Sequence, residues 1–174
     1  MIIAIAGLTG SGKNTVGEFL AKELGVRMVC PTMKDLAKKE GVSLIEFQKM
    51  AQKDPNIDLK FDLLLKEECA KGDAVVTTWL GAWITKPDVA IFLNASDNTR
   101  AARIVGRDKM SLAIALKHVQ ERDSQNIKRY KKLYSIDITD TSIFDVVINS
   151  DKFTQAQVNE LALACVKIKL NKKS

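Results

Sequence analysis

The first fifteen residues constrain this chain more than any other stretch. Residues 1–6 (MIIAIA) are a continuous apolar run that ends abruptly at Gly7-Leu8-Thr9-Gly10-Ser11-Gly12-Lys13-Asn14-Thr15. Such a run is the pattern of a strand buried on both faces. The spacing Gly-x-x-x-x-Gly-Lys then lets the backbone wrap closely around an oxyanion, with N–H groups and a helix N-terminus aimed at phosphate. Lys13 adds a point charge. Val16, Phe19, Leu20 and Leu24 follow at helical spacing up to Gly25, a helix stop. Strand, loop and helix together predict a phosphate-binding loop for a nucleoside triphosphate, with Gly7, Thr9, Gly10, Ser11, Gly12, Lys13, Asn14 and Thr15 as the donor-binding set.

The rest of the chain repeats the alternation. Strands are expected over 27–30, 74–76, 89–93 and 146–148, and helices over 31–41, 43–51, 54–72, 97–106, 111–130 and 155–168. Ser43 and Glu46 have the spacing of a capping box. Strands alternating with helices predict a three-layer α/β fold with a five-stranded parallel sheet. At 174 residues the chain suits a single domain over 1–170, with a lysine-rich, flexible tail at 171–174.

Apolar runs such as residues 89–93 fall far short of the ~20 residues a bilayer span needs, and Met1 leads into the first strand without a basic leader. A cytoplasmic protein without membrane contact is expected. Cys30, Cys69 and Cys165 are widely spaced, with His118 as the one imidazole. That set supports neither a zinc site nor a disulfide framework, so the cysteines read as packing residues and His118 as a surface residue.

The net charge of +6 is concentrated. Arg100, Arg103, Arg107, Lys109, Lys117, Arg122, Lys128, Arg129, Lys131 and Lys132 face only Asp108, Glu121 and Asp123 over residues 100–132. This stretch should attract anions. It has few aromatic residues for stacking bases, which favours phosphate on a small molecule over nucleic acid. Arg100, Arg103 and Arg107 lie on one face of an expected helix, where they either converge on phosphates or form a solvated basic face. Phosphoryl transfer between nucleotides needs cations on both phosphate groups and a cover that excludes water.

The loop form Gly-x-x-Gly-Ser-Gly-Lys-x-Thr is similar to that of adenylate and cytidylate kinases, and Arg122-Asp-Ser-Gln-Asn126-Ile-Lys-Arg129 resembles the Arg-Asp-x-x-Asp-x-x-Arg segment of cytidylate kinases. Arg129-Tyr130, Tyr134, Ile136-Asp137, Asp140 and Phe144-Asp145-Val146-Val147-Ile148-Asn149 resemble the archaeal type of that family, as do Asp35-Leu36-Ala37 and Phe47 before Asp54-Pro55. The resemblance implies a P-loop nucleoside monophosphate kinase that moves the γ-phosphoryl of ATP to CMP, or to UMP or dCMP. It implies Mg²⁺ with Thr15, not Asn14, as its ligand. It further implies Lys13, Arg103, Arg107, Arg122 and Arg129 as catalytic cations, Lys34, Arg122, Asn126 and Arg129 at the acceptor, a helical acceptor-binding region at 31–72, and a lid at 100–130. A monomer or weak dimer working on small nucleotides is expected.

Two features depart from that family. Thr77-Thr78-Trp79 stands where a Glu-Gly-Arg-like segment is usual, and Lys34 stands in place of an arginine. A lysine cannot make the planar bidentate contact of a guanidinium. Trp79 and Trp83 are candidates to stack on the acceptor base, with rim packing as the competing reading. Two other functions stay open: another small-molecule kinase such as dephospho-coenzyme A kinase, whose opening Gly-Leu-Thr-Gly is similar, and a nucleotide-binding regulator with weakened catalysis.

Overall fold

The computed structural model describes residues 1–43, 46–47, 50, 54, 56–108 and 110–171, and within them all side chains except those of Met33, Lys34, Asp58, Arg107 and Asp108. Five strands, β1 (Ile2–Ala6), β2 (Arg27–Val29), β3 (Ala74–Val76), β4 (Val89–Asn94) and β5 (Val146–Asn149), form one sheet in the order β2-β3-β1-β4-β5. Every pairing is parallel. The helices are α1 (Lys13–Leu24), α2 (Met33–Lys39), α3 (Asn56–Ala70), α4 (Gly81–Ile84), α5 (Asp97–Asp108), α6 (Leu112–Tyr134) and α7 (Gln155–Asn171).

The unbroken apolar run of β1 puts it at the centre, where Ile3 pairs with Val75 of β3 on one side and Val89 of β4 on the other. Large and small residues alternate along it. Ile3 and Ile5 join Val75, Ile91, Leu93 and Ile148 on one face, under Val16 and Leu20 of α1 and Val158, Ala162 and Val166 of α7. Ala4 faces the other way, with Ala90 and Ala82 of α4. Leu65 of α3 packs on that side against Val29 and Val76. The sheet is therefore the middle of three layers, as the alternation predicts. Because the chain order switches direction beside β1, the crevice at its carboxyl end is a ligand position by topology alone.

The sequence pattern sets most boundaries within a residue or two. Gly25 ends α1 in a left-handed conformation (φ 65°), its N–H reaching the carbonyls of Ala21 and Lys22. Ser43 and Glu46 form the expected capping box, with Glu46 N–H to Ser43 Oγ at 3.2 Å and Ser43 N–H to Glu46 Oε2 at 3.0 Å. Most of the helix expected there lies outside the described residues. Two differences have local causes. The helix expected over 111–130 runs on to Tyr134 and stops at Ser135, which adopts a left-handed conformation (φ 57°). The four residues of α4 are too few to show a helical period, so the pattern misses them. Helices α5 and α6 share a smaller apolar cluster of Ala101, Ile104, Ala115 and Val119. No helix among the described residues is long and apolar enough to cross a membrane.

Candidate active site

The loop leaving β1 is shaped from behind. Gly10, at φ +76°, sits so close to α5 that a Cβ there would lie 2.8 Å from the Arg100 carbonyl oxygen. Arg100 donates from Nη1 to the Thr9 carbonyl at 2.9 Å, and Arg103 donates from Nη1 to the Ser11 carbonyl at 3.1 Å. Two guanidiniums thus hold the loop carbonyls, while Gly12, left-handed at φ +93°, opens α1 at the cavity. A loop whose carbonyls are tied to one side can present amides on the other. Lys13 Nζ stays near the Leu8 carbonyl at 3.5 Å.

In front of the loop is a cavity of about 1120 Å³. Loop residues 9–15 line it, and so do Arg122, Asn126 and Arg129 of α6. Thr15 and Asn14 face it from the first turn of α1. The structure therefore brings together the donor loop and three of the acceptor-side residues expected from sequence. Trp79 lies on the same cavity, its ring 6.4 Å from that of Tyr130. The side chains of Lys34 and Arg107 lie outside those described.

Two expectations need correcting, for Arg100 and Trp83, and one is narrowed, for Arg103. Arg100 does not converge on a ligand: it is 3% exposed, and its guanidinium is spent on Ala95 O, Thr9 O, Asp97 and Asp123. A charge so deeply buried requires that many partners. Arg103 does reach the cavity, but its guanidinium is bonded to Ser11 O and to the hydroxyl and carbonyl of Ser150, all at 3.1 Å. Trp83 is not part of the cavity lining. Its ring meets Phe144 edge-on at 5.4 Å, beside Ala4, Ala82 and Ala90, so it is a packing residue on the far side of α4.

Sequence reasoning also missed residues. Asp123 is 6% exposed and accepts the Thr9 N–H at 3.1 Å while pairing with Arg100. An acid directly after Arg122 in a mostly basic helix was the available signal. Phe61 and Asp62 of α3 and Tyr130 and Tyr134 of α6 line the cavity, and exposed His118 stands at its rim. Their placement depends on how α3 and α6 approach the sheet, which no local pattern encodes.

Electrostatics and small polar groups complete the site. Burial, and after it the Arg122 charge, push Lys13 down to about 8 from lysine's ordinary 10.5, with Asp123 among the opposing charges. Ser11 Oγ, Thr77 Oγ1 and Thr78 Oγ1 are buried cavity-lining hydroxyls with no hydrogen-bond partner among the described residues. Buried hydroxyls without partners are costly, so they mark where a polar ligand or water belongs. Thr77 owes its position to Gly17 of α1: a Cβ at Gly17 would lie 2.3 Å from Thr77 Cγ2.

Such a cavity, lined by a phosphate loop and by arginines, suits transfer of a phosphoryl group between two anionic ligands. Solved structures share the fold at low identity: a shikimate kinase from Bacteroides thetaiotaomicron (TM-score 0.60, 14% identical, 98% of each chain covered) and a gluconokinase from Sinorhizobium meliloti (TM-score 0.60, 19% identical, 98% of this chain and 94% of that one). Curated relatives are nearer in sequence. Cytidylate kinases from Pyrobaculum aerophilum and Pyrobaculum calidifontis are 43% identical over 154 residues (86% of this chain, 84% of theirs) and 37% identical over 177 (99% and 96%). The sequence model of the cytidylate kinase-like family matches residues 2–152. The match over most of its length, on a fold that carries the phosphate loop, shows that the chain belongs to the cytidylate kinase-like family.

Proposed function

We propose that this protein transfers the γ-phosphoryl of ATP to a nucleoside monophosphate, CMP first and UMP or dCMP next. The observation that carries the reading is that Lys13 and the loop share one cavity with Arg122, Asn126 and Arg129. The loop amides and Lys13 hold the donor phosphates. An oxygen of the acceptor phosphate attacks the γ-phosphorus, the bond from that phosphorus to the β–γ bridging oxygen breaks, and its electron pair leaves with ADP. Arg122 and Arg129 hold the acceptor phosphate and offset the repulsion between the two anions. In this reading residues 31–72 are the acceptor side, and the lid lies within 100–130, beyond the buried Arg100 that braces the loop.

The residues fit a magnesium ion that arrives with the triphosphate. Thr15 offers a hydroxyl, and the partnerless Thr77 hydroxyl suits a metal-bound water. Among the described residues no three acids, histidines or cysteines gather to hold an ion alone. Mg²⁺ of this kind keeps several waters and takes substrate oxygens as ligands. When bound it would supply positive charge to the triphosphate. Trp79 and Tyr130 offer aromatic surface for the acceptor base.

An acceptor screen with ATP and Mg²⁺ against all common monophosphates, read by coupled ADP release, tests the proposal. Turnover greatest with CMP supports it. Phosphorylation of dephospho-coenzyme A in preference to any monophosphate replaces the acceptor class. ATP binding without turnover of any acceptor favours the regulator reading, which the uncharged Thr77-Thr78-Trp79 segment motivates.

A further inference from the structure

Helix α6 brings Arg122, Gln125, Asn126 and Arg129 to the cavity. Asp123 turns the other way, because consecutive helical residues point about 100° apart. One of its oxygens accepts the Thr9 N–H at 3.1 Å, and the other pairs with Arg100, whose Nη1 also donates to the Thr9 carbonyl at 2.9 Å. The backbone N–H and C=O of one loop residue are thus gripped by an acid–base pair drawn from two helices. Arg100 is in turn fixed by the Ala95 carbonyl at 3.1 Å and by Asp97, which also accepts from Gln120 of α6 at 3.2 Å.

Apolar contact alone would hold α6 against α5, since Ala101, Ile104, Ala115 and Val119 already do so. A buried ion pair is a poor source of stability compared with such packing. What it adds is register: an ion pair with directed hydrogen bonds tolerates no sliding of α6 along the phosphate loop. We propose that Asp123 is a positioning residue, which by pairing with Arg100 while it accepts the Thr9 N–H fixes its neighbour Arg122 at a set spacing from Lys13, so that the acceptor phosphate on Arg122 meets the donor phosphates on Lys13 at the distance transfer needs. The two cations already act on each other, for Arg122 is the largest charge depressing the Lys13 proton affinity. The inference rests on the phosphotransfer reading above.

A double-mutant cycle on kcat tests it, with ATP and the preferred acceptor of a CMP, UMP, dCMP, AMP and GMP panel. Asp123→Asn keeps an oxygen for the Thr9 N–H but loses the ionic pairing. Arg122→Ala and Asp123→Asn are each expected to lower kcat by about tenfold or more, and Arg122→Ala is expected to cost less than about threefold further once Asp123→Asn is present. Losses that multiply in the double variant overturn the positioning role, because a purely structural defect would not depend on Arg122. If Asp123→Asn folds poorly, the neutral pair Arg100→Gln with Asp123→Asn takes its place in the same cycle. A parent chain inert on the whole panel refutes the kinase reading and this inference with it, whereas an active parent with multiplying losses refutes the inference alone.

Discussion

Lys13 Nζ stands 5.3 Å from the centroid of the Trp79 ring. The ring face can attract the ammonium without occupying its N–H donors, which stay available for phosphate. Trp79 is tilted against Tyr130 at 6.4 Å, and Tyr130 against Tyr134 at 6.3 Å. An aromatic row therefore links the phosphate loop to the last turns of α6.

Proton uptake should accompany ATP binding. Burial and the Arg122 charge hold Lys13 down at about 8, and triphosphate charge will raise it. At pH 8 about half a proton should enter per ATP bound, and near none at pH 6.5, where the ammonium is already formed. Calorimetry in buffers of different ionisation enthalpy measures the uptake, and Lys13→Ala should abolish it along with phosphoryl transfer. Unchanged uptake in the variant would assign the proton elsewhere. The folding consequence has the opposite sense from that of a stabilised lysine. Between pH 8 and 10.5 the unfolded chain keeps a proton the folded one has released, so this group adds stability as pH rises through that window.

Arg100→Ala is expected to act on stability first. It strips the partner from buried Asp123 and leaves Thr9 O without its donor. Removing one partner of a buried ion pair costs about 3–5 kcal/mol. Urea denaturation measures this. A loss below about 1 kcal/mol, the scale of an exposed pair, would contradict the burial of this one.

The contrast between Arg100 and Arg122 shows how far sequence could reach. Both are arginines on helices in a basic stretch, and periodicity placed both helices. Which guanidinium meets ligand and which meets backbone depends on the Thr9 carbonyl, 91 positions from Arg100 in the chain. The interior place of β1 was legible because an unbroken apolar strand must lie inside a parallel sheet, whereas the order of the other strands was not. The donor loop was legible because its chemistry is local. The acceptor side was less so, since α3, α6 and the residues after β3 meet only in the folded chain, and Trp79 and Trp83, four residues apart, end on different surfaces.

Gly17→Ala should destabilise the protein although alanine favours helices. The helical gain is about 1 kcal/mol, whereas the new Cβ would lie 2.3 Å from Thr77 Cγ2. Overpacking of this kind costs about 1–3 kcal/mol. Thr77→Ser removes the clashing methyl, so the Gly17→Ala/Thr77→Ser pair should melt higher than Gly17→Ala alone. Equal melting temperatures would place the strain elsewhere.

Thr15→Ala should weaken magnesium dependence, and Asn14→Ala should not. Both side chains face the cavity, but a hydroxyl is the better oxygen donor to a hard cation, and the Asn14 amide oxygen already lies 3.9 Å from Cys30 Sγ. A magnesium titration of ATP turnover compares them, and the reverse result reassigns the metal-side residue.

Trp79→Arg discriminates between two acceptor pockets. In one, the family's arginine has been lost from an otherwise unmodified site, and restoring it regains a bidentate phosphate contact worth about 1.5–3 kcal/mol. CMP would then bind about ten- to a hundredfold more tightly. In the other, Trp79 shapes the pocket itself, and several observations favour this. The ring borders the cavity, leans on Tyr130 and faces the Lys13 ammonium. A guanidinium in its place would put a third cation beside Lys13, whose proton affinity Arg122 already lowers. It would also remove aromatic area on which a base can stack. Weaker CMP binding by Trp79→Arg is therefore expected, together with a further fall in the Lys13 titration midpoint. Calorimetric titration of CMP into both proteins decides between the pockets: tighter binding by the variant sinks the stacking role, and no binding by either protein sinks the cytidylate assignment.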